Sequence, residues 1–472
     1  MTIKTFEERI EIGRALRDQV PRTSHSHIGD VKRDVIKLLK ANSAGRVERL
    51  IPLHYGRMLA SPFAFFRGTA VLQAHDLAAT PHSGLSVQIC GDAHLMNFGG
   101  FATPERNLVF DMNDFDETHP GPWEWDVKRL AASITVAARS LGFKGSAADR
   151  MVFNAIENYR TCMADFARMG ALDLWYEKTT FEYLLAHGKY EEGRKAIQKA
   201  MEKAQSRTQK SLLPKMASKV DGKWQFREDP PELFHHAGEN SLFGTKDAVR
   251  RMDLQKDFYK KYFKAYLTSI SPSQRQLLGN FSLQDVAFKA VGVGSVGTRC
   301  WVMLFTDLQD QPLFLQVKQA SRSVLAPYVP SGKSEFKNEG QRVITGQRLM
   351  QSASDMFLGW VDGMANRDFY FRQMRDMKVA FELETLSELM LGRYAWLCAH
   401  ILARAHARGS NGQAPQISGY LGKSGQFAEA LVNYANDYAD QVERDFEAFR
   451  NACRSGKLIA QSEADFGSDI RA

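Results

Sequence analysis

The chain has 472 residues, of which 44% are hydrophobic and 25% are charged, and its formal net charge is +8. This composition is ordinary for a globular protein and argues against a disordered or fibrous chain. A membrane helix needs roughly 20 mainly apolar residues in a row, and the sequence contains no such run. The five cysteines form no Cys-x-x-Cys pair, so neither a zinc site nor a disulfide framework is predicted. We expect a cytoplasmic protein that has no membrane partner.

Two short strands are predicted after a polar, helical N-terminal arm over residues 1–50. Residues 85–90 form one apolar run, and Asp92 lies in the loop that follows it. Residues 107–111 form the second run, which ends at Asp111. Each strand is therefore expected to deliver one carboxylate to a loop.

The loop at residues 91–97 reads Gly-Asp-Ala-His-Leu-Met-Asn and is the strongest candidate for a functional site. A phosphoryl-transfer site needs one carboxylate to position the attacking hydroxyl. It also needs an asparagine and a second carboxylate to hold magnesium on the nucleotide phosphates. Asp92, Asn97 and Asp111 supply these groups, and we predict them as the catalytic residues.

Four carboxylates are crowded together at positions 111, 114, 116 and 117. Like charges at this spacing disfavour one another unless a cation lies among them, which favours a metal ion. Mg²⁺ prefers carboxylate and amide oxygens, so Asn97, Asp111 and Asp114 are the predicted metal ligands. Whether Asp111 or Asp114 is the main ligand stays open. His94 is interpreted as a brace for the loop, because no other His or Cys stands at zinc-ligand spacing.

Helices are predicted at 126–141 and 149–169, and the segment 170–245 that follows them has the least regular pattern. We expect this segment to be an insertion that lines or covers the outer cleft. Residues 189–219 carry nine Lys or Arg and three Asp or Glu. The basic helix face in this stretch is interpreted as a solvated face. A nucleic-acid partner is not expected, because aromatic residues are not interleaved there.

The basic half of the candidate site comes much later in the chain. Residues 286–291, 301–305 and 313–318 predict three strands, with Lys318 at the end of the third. The turn between the first two strands contains three glycines, Gly292, Gly294 and Gly297. Glycines let a backbone approach phosphates closely, and a lysine adds positive charge to them. We predict these four residues as nucleotide-binding.

A helix predicted at 335–351 carries Glu339, which we interpret as the ion-pair partner of Lys318 and as the fifth nucleotide-binding residue. Residues 356–361 and 368–374 predict a further hairpin. The region is therefore expected to form a five-stranded antiparallel sheet with one inserted helix. Two long helices, near residues 386–405 and 426–453, are predicted after it.

The run at 91–97 resembles the catalytic loop of the aminoglycoside and choline kinase-like branch of the protein kinase superfamily, which uses Gly-Asp-x-His-x-x-Asn. Asp111 and Asp114, the Gly-Pro pair at 121–122, and Asp126 resemble the magnesium-binding segment of that branch and the structural Asp that follows it. The resemblance implies an α+β fold of two lobes, ATP and Mg²⁺ as cofactors, and a hydroxyl acceptor that is a small molecule; a protein acceptor stays open as an alternative. Asp126 would hold the catalytic loop in place.

The order of the motifs differs from that family, because the glycine loop, lysine and glutamate follow the catalytic loop. The chain thus resembles a circularly permuted kinase. In this arrangement residues 1–275 form the helical arm and the large catalytic lobe. Residues 276–378 form the small nucleotide-binding lobe, and residues 379–472 form the helical remainder of the large lobe. Residues 375–378 would be the hinge beside the adenine.

Residues 61–68 and 113–126 also resemble a bacterial domain-of-unknown-function family, number 2252. That resemblance extends over most of the chain and implies no established activity. Arg67, within the first of these segments, is suited to bidentate binding of phosphate or carboxylate. A structural salt bridge is an equal alternative for this residue.

The leading hypothesis is an ATP- and Mg²⁺-dependent, kinase-like phosphotransferase. Nucleotidyl transfer of the AMPylation type by the same fold is an alternative. A metal-dependent phosphoesterase is disfavoured, because the Gly-Asn-His motif of that class is present only as Gly-Asn-Phe at 279–281. A nucleotide-binding pseudoenzyme is disfavoured by the intact Asp92 and Lys318. The acceptor and the oligomeric state stay open.

Overall fold

The described residues form an α+β fold with one six-stranded antiparallel sheet and three two-stranded sheets, which confirms the α+β part of the prediction. The computed structural model describes residues 4–188, 190–237, 240–244, 247, 250, 261–290, 292–330, 335–363, 366–374 and 377–466. Within these ranges, none of the helices combines the length and the hydrophobicity required to span a lipid bilayer.

The strands in chain order are β1 (Ser86–Ile89), β2 (Phe98–Ala102), β3 (Leu108–Met112), β4 (His119–Pro122), β5 (Ala217–Val220), β6 (Lys223–Phe226), β7 (Leu233–Phe234), β8 (Ser282–Lys289), β9 (Cys300–Thr306), β10 (Pro312–Ala320), β11 (Gly359–Asp362) and β12 (Asp368–Gln373).

The α-helices in chain order are α1 (Phe6–Gln19), α2 (Val35–Asn42), α3 (Ile51–Met58), α4 (Pro62–Arg67), α5 (Ala70–Leu77), α6 (Trp123–Ser140), α7 (Gly145–Phe166), α8 (Ala171–Tyr176), α9 (Phe181–His187), α10 (Glu191–Ser206), α11 (Gln209–Met216), α12 (Lys264–Thr268), α13 (Pro272–Leu278), α14 (Glu339–Met350), α15 (Glu388–Arg408), α16 (Ala414–Leu421) and α17 (Gln426–Arg454).

The large sheet has the strand order β11-β12-β10-β9-β8-β7, and every neighbouring pair is antiparallel. The three strands and the hairpin predicted from the sequence are β8 to β12. The structure corrects the predicted count of five strands to six. The sixth strand, β7, pairs its Leu233 and Phe234 with Lys289 and Phe288 of β8.

Both faces of the large sheet are covered, because successive strand residues point to opposite faces. Trp301, Met303 and Phe305 of β9 pack in one hydrophobic cluster. Val302 and Leu304 of the same strand pack in a second cluster, which includes residues of α11, β5 and β6. The sequence reads as nearly continuous hydrophobic runs here because neither face is open to water along these residues.

The described part of the segment 170–245 is built of regular helices and strands, and part of it covers one face of the large sheet. It contains α8 to α11 and the strands β5 to β7. Leu213 of α11 and Phe226 of β6 are buried against the second face of the sheet. Lys195, Lys199 and Lys203 of α10 are exposed. The sequence pattern missed this cover because its strands are only two to four residues long.

The helical part of the fold is built around α6, in which nearly every residue is buried. α6 packs against α7 and α17, and α7 packs against α15. The N-terminal arm is helical as predicted: α1 packs along α16, and its first turn has a capping box between Thr5 and Glu8. Because α6 is buried while carrying acidic and basic side chains, those side chains need partners inside the protein.

Candidate active site

A cleft of about 640 Å³ separates the large sheet from the loops between β1 and β4. Five of the predicted site residues line it: Asp92, Asn97, Asp114, Gly292 and Gly294. The other four predicted residues, Asp111, Gly297, Lys318 and Glu339, are not among the lining residues. The fold therefore brings together parts of the two predicted half-sites that are far apart in the sequence.

Asp92 lies in the loop after β1 and is held by an arginine of α6. Nε of Arg129 donates to Oδ1 of Asp92 at 2.8 Å, and its other two nitrogens donate to Gln73 and to the carbonyl of Phe66. Nε2 of His94 lies 3.7 Å from Oδ2 of Asp92. Burial lowers the pKa of His94 to about 4, so its imidazole is neutral at pH 7. Among the described residues, Oδ2 of Asp92 is thus left without a charged partner within ion-pair distance.

Asp126, at the start of α6, holds the backbone that leads into this loop. Its carboxylate accepts hydrogen bonds from the amides of Cys90 at 2.7 Å and Gly91 at 2.9 Å. Nε2 of His406 lies 3.2 Å from the same carboxylate. Gly91 has a φ of 83°, which a residue with a side chain rarely adopts. The geometry matches the role that the resemblance implied for Asp126.

Asn97 joins the Asp92 loop to the loop after β3. Its Nδ2 donates to the carbonyls of Asp92 and Asp114, each at 3.0 Å. Its Oδ1 accepts from the amide of Asp114 at 2.6 Å. In this arrangement the oxygen predicted to bind a metal is already engaged. Asn97 acts here as a positioning residue, and the Asp114 side chain, 46% exposed, is presented to the cleft.

Lys318 meets the acidic loop, although it lies 202 positions from Asp116 in the sequence. The Lys318 ammonium contacts the Asp116 carboxylate and lies 3.6 Å from Oδ2 of Asp114. Tyr370, directly opposite Lys318 on β12, donates its hydroxyl to Asp116 at 2.7 Å. Burial alone would lower the pKa of Lys318, but Asp114 and Asp116 raise it above its ordinary value.

The predicted ion pair between Lys318 and Glu339 is not formed, which corrects that part of the sequence interpretation. The Glu339 carboxylate contacts Arg342, one turn further along α14. Arg342 also donates to the carbonyls of Asp116 and Thr118, at 2.9 and 2.5 Å. Arg342 takes the place next to Glu339, while Lys318 is drawn to the more acidic loop.

Asp111 was expected to face the cleft, and the structure corrects this expectation. Its side chain is 0% exposed and pairs with Arg404 of α15, whose Nη2 lies 2.6 Å from Oδ1. Oδ2 accepts from the amide and the hydroxyl of Ser352 at 2.8 and 2.6 Å. Both oxygens are therefore satisfied inside the protein, and Asp111 has no free oxygen to offer a metal ion.

The glycine loop between β8 and β9 packs on the N-terminal part of the chain. Nη1 of Arg46 donates to the carbonyl of Gly294 at 2.8 Å, and Nδ1 of His54 lies 3.0 Å from the carbonyl of Val293. Gly297 has a φ of 82° and lies against Arg46. The loop thus presents Gly292 and Gly294 to the cleft while Gly297 makes its turn.

Two of the predicted hinge residues, 375 and 376, lie outside the described residues. The amide of Met377 donates to the carbonyl of Arg207 at 2.5 Å, and the carbonyl of Lys378 accepts from the Arg207 side chain at 3.1 Å. Met374 and Lys378 line the cleft. The segment 170–245 therefore contacts the backbone of the predicted hinge.

Three arginines that the sequence interpretation missed hold the site together: Arg129, Arg342 and Arg404. Each lies on a helix, where an isolated arginine usually marks a solvated face. A partial signal was available for Arg129 and Arg404, because a Leu-Ala-Ala run directly follows the first and an Ile-Leu-Ala run directly precedes the second. A charge within such a helix is buried and needs a partner.

The acidic loop also determines whether the site can accept Mg²⁺. Among the described residues, no three His, Cys, Asp or Glu side chains form a group that could hold a metal ion. Asp114 is open to the cleft beside Asp116. Because Mg²⁺ often takes one or two carboxylates and completes its shell with phosphates and water, the residues present fit an ion bound together with a nucleotide.

Comparison with known proteins identifies a family. The model of a family described as an uncharacterized protein conserved in bacteria (DUF2252) matches residues 46–452 of the 472. The chain therefore belongs to this family. No curated protein and no solved structure matches the chain.

Proposed function

We propose that this DUF2252 protein is an ATP- and Mg²⁺-dependent phosphotransferase of kinase-like, circularly permuted fold that acts on a hydroxyl acceptor. The observation that carries the proposal is the shared cleft. Asp92 and Asp114 line it from one side, and Gly292 and Gly294 line it from the other. A carboxylate base, an oxygen ligand for magnesium and a phosphate-approaching backbone thereby meet in one place.

In the proposed reaction the acceptor hydroxyl oxygen attacks the γ-phosphorus of ATP. A new oxygen–phosphorus bond forms, and the bond from the γ-phosphorus to the β,γ-bridging oxygen breaks, so that this oxygen leaves on ADP. The hydroxyl proton passes to Oδ2 of Asp92, because Oδ1 already accepts from Arg129. Arg129 also fixes the direction of the carboxylate, which favours attack in one geometry.

The metal role falls to Asp114 in this proposal, since Asp111 is enclosed. Bound Mg²⁺ would neutralise phosphate charge and orient the transferred group. Lys318, which lies behind the acidic loop, keeps Asp114 and Asp116 in place. Asn97 fixes the backbone of Asp114 relative to that of Asp92.

The test separates binding from chemistry. ATP binding to the full chain would be measured by calorimetry with and without Mg²⁺, followed by ATP consumption with a panel of small hydroxyl compounds. Asp92→Asn should keep nucleotide affinity while turnover falls roughly 10²–10⁴-fold, the usual contribution of a positioned base. Asp114→Asn should remove the Mg²⁺ dependence of nucleotide binding. Asp440→Asn, on the surface of α17, is the matched control.

Three outcomes would contradict the proposal. A chain that binds no nucleotide at millimolar concentration is not a phosphotransferase of this kind. Nucleotide binding with no turnover by the wild-type chain on any acceptor would favour the pseudoenzyme. A product that carries AMP instead of phosphate would favour nucleotidyl transfer in the same cleft.

A further inference from the structure

Arg67, at the end of α4, lines the cleft with no ion pair to any described residue. Its Nε is buried and has no hydrogen-bond partner in the part of the chain that the structure describes. Most other arginines of the cleft are engaged: Arg46 and Arg57 donate to carbonyls of the glycine loop, and Arg372 donates to Gln316. Leaving Nε buried without a partner is costly. Because Arg67 as a whole is only half-buried, an anion that enters the cleft could reach the guanidinium and offset this cost.

The position of Arg67 relative to the proposed base is fixed by Arg129. One nitrogen of Arg129 donates to the carbonyl of Phe66 at 2.7 Å, and another donates to Asp92 at 2.8 Å. The Arg129 guanidinium also stacks on the Phe66 ring at 3.8 Å. The residue directly before Arg67 is therefore tied to the Asp92 carboxylate through a single side chain.

The glycine loop also reaches this point. A Cβ added to Gly294 would lie 3.5 Å from the carbonyl oxygen of Arg67 and 4.0 Å from Cα of Gly68. Arg67 thus stands where the glycine loop and the Asp92 loop converge. The pKa of Arg67 is lowered by burial and raised in part by Asp92, as expected for a guanidinium near that carboxylate.

We propose that Arg67 binds the terminal phosphoryl group of the nucleotide, between the glycine loop and Asp92. This inference rests on the proposed function and adds a residue to it. A group in transfer must lie between the base and the nucleotide, and its charge is spread over three oxygens. The planar guanidinium can donate two parallel hydrogen bonds to such oxygens. Arg67 is then a catalytic residue that touches the transferred group.

The experiment uses the difference between ATP and ADP, because only ATP carries the group in question. Affinities of the full chain for ATP, for ADP, and for ADP with orthovanadate would be measured by calorimetry in the presence of Mg²⁺. Arg67→Gln should weaken ATP binding by about 10-fold or more, the usual effect of losing hydrogen bonds to a charged group. ADP affinity should change much less, and the gain from orthovanadate should be lost.

Two further variants keep the test decisive. Arg67→Lys retains the positive charge but not the two parallel N–H donors of the guanidinium. Its ATP affinity should therefore lie between those of the wild type and Arg67→Gln. This variant also replaces Arg67→Gln in the test if Arg67→Gln fails to fold. Arg322, an exposed arginine of the same cleft, is the matched control, and Arg322→Gln should change ATP and ADP affinities alike.

Equal effects of Arg67→Gln on ATP and ADP, or no effect on either, would overturn the inference while leaving the proposed function intact. If the wild-type chain bound neither nucleotide, the proposed function itself would fail. The two failures are therefore distinguishable.

Discussion

Asp111 and Asp114 lie three positions apart in one acidic stretch, yet one side chain is enclosed in the protein and the other faces the cleft. The Asp111 carboxylate is fully enclosed, and its partner Arg404 is also 0% exposed. The Asp114 side chain is 46% exposed, and its neighbour Lys318 approaches from the sheet side. The first pair stabilises the fold where a helix meets a strand, and the second faces the cleft.

The comparison of Asp111 with Asp114 shows which groups neutralise the negative charge of the carboxylate cluster. Their crowding in the sequence favours a bound metal, but the protein supplies two cations of its own, Arg404 at one end and Lys318 at the other. At the cleft end, by contrast, Asp114 and Asp116 line a cavity into which a further ion could enter. Charge density alone therefore does not locate a metal site, because buried arginines meet the same need.

The largest expected effect comes from breaking the enclosed ion pair between Asp111 and Arg404. Asp111→Asn should destabilise the protein by about 3–5 kcal/mol, because it leaves the Arg404 charge buried without its carboxylate. The measurement is the free energy of unfolding in urea. Asp114→Asn, at the cleft end, should cost less than about 1 kcal/mol, since exposed ion pairs contribute little. Equal losses for the two variants would contradict the division of the acidic stretch.

Much of this comparison could not be predicted from the sequence. The hairpins β8–β9–β10 and β11–β12 were predicted, because turn residues and glycines separate their apolar runs. The loop that carries Asp92 and Asn97 was also predicted, because its residue types and spacing are specific. Which of Asp111 and Asp114 faces the cleft depends on an arginine nearly 300 positions away, 293 by sequence separation. No local pattern contains that information.

A second prediction concerns another enclosed side chain, His54, and the pH dependence of the free energy of unfolding. His54 is buried beneath the glycine loop, and burial, with Arg46 nearby, lowers its pKa to about 3. Between pH 6.5 and that value the unfolded chain binds a proton that the folded chain does not, so stability falls as the pH falls. At pH 5 the part of the loss that comes from His54 is ~2 kcal/mol. Other buried histidines, such as His94, add to the total because their pKa is also lowered. Urea unfolding at pH 7 and pH 5 of the wild type and of a His54 variant isolates the His54 part.

His54→Gln should remove this part of the pH dependence, although it also costs stability at pH 7. Asp114→Asn, which changes a cleft residue, is the control. This variant should show the same decrease in the free energy of unfolding between pH 7 and pH 5 as the wild type. If the two variants showed the same pH dependence, the enclosed histidine would not be its source.

The smallest expected effect on stability comes from Lys318, the lysine that pairs with the carboxylates at the cleft. Lys318→Met should destabilise the protein by only about 1 kcal/mol, because Asp114 and Asp116 are partly exposed and can be hydrated once the ammonium is gone. Arg404→Met is the matched variant at the enclosed end. It should cost about 3–5 kcal/mol, because Asp111 cannot reach water. Urea unfolding of both variants measures the difference. If Lys318→Met cost as much as Arg404→Met, the cleft carboxylates would depend on Lys318 as strictly as Asp111 depends on Arg404, and the contrast between the two ends of the acidic stretch would fail.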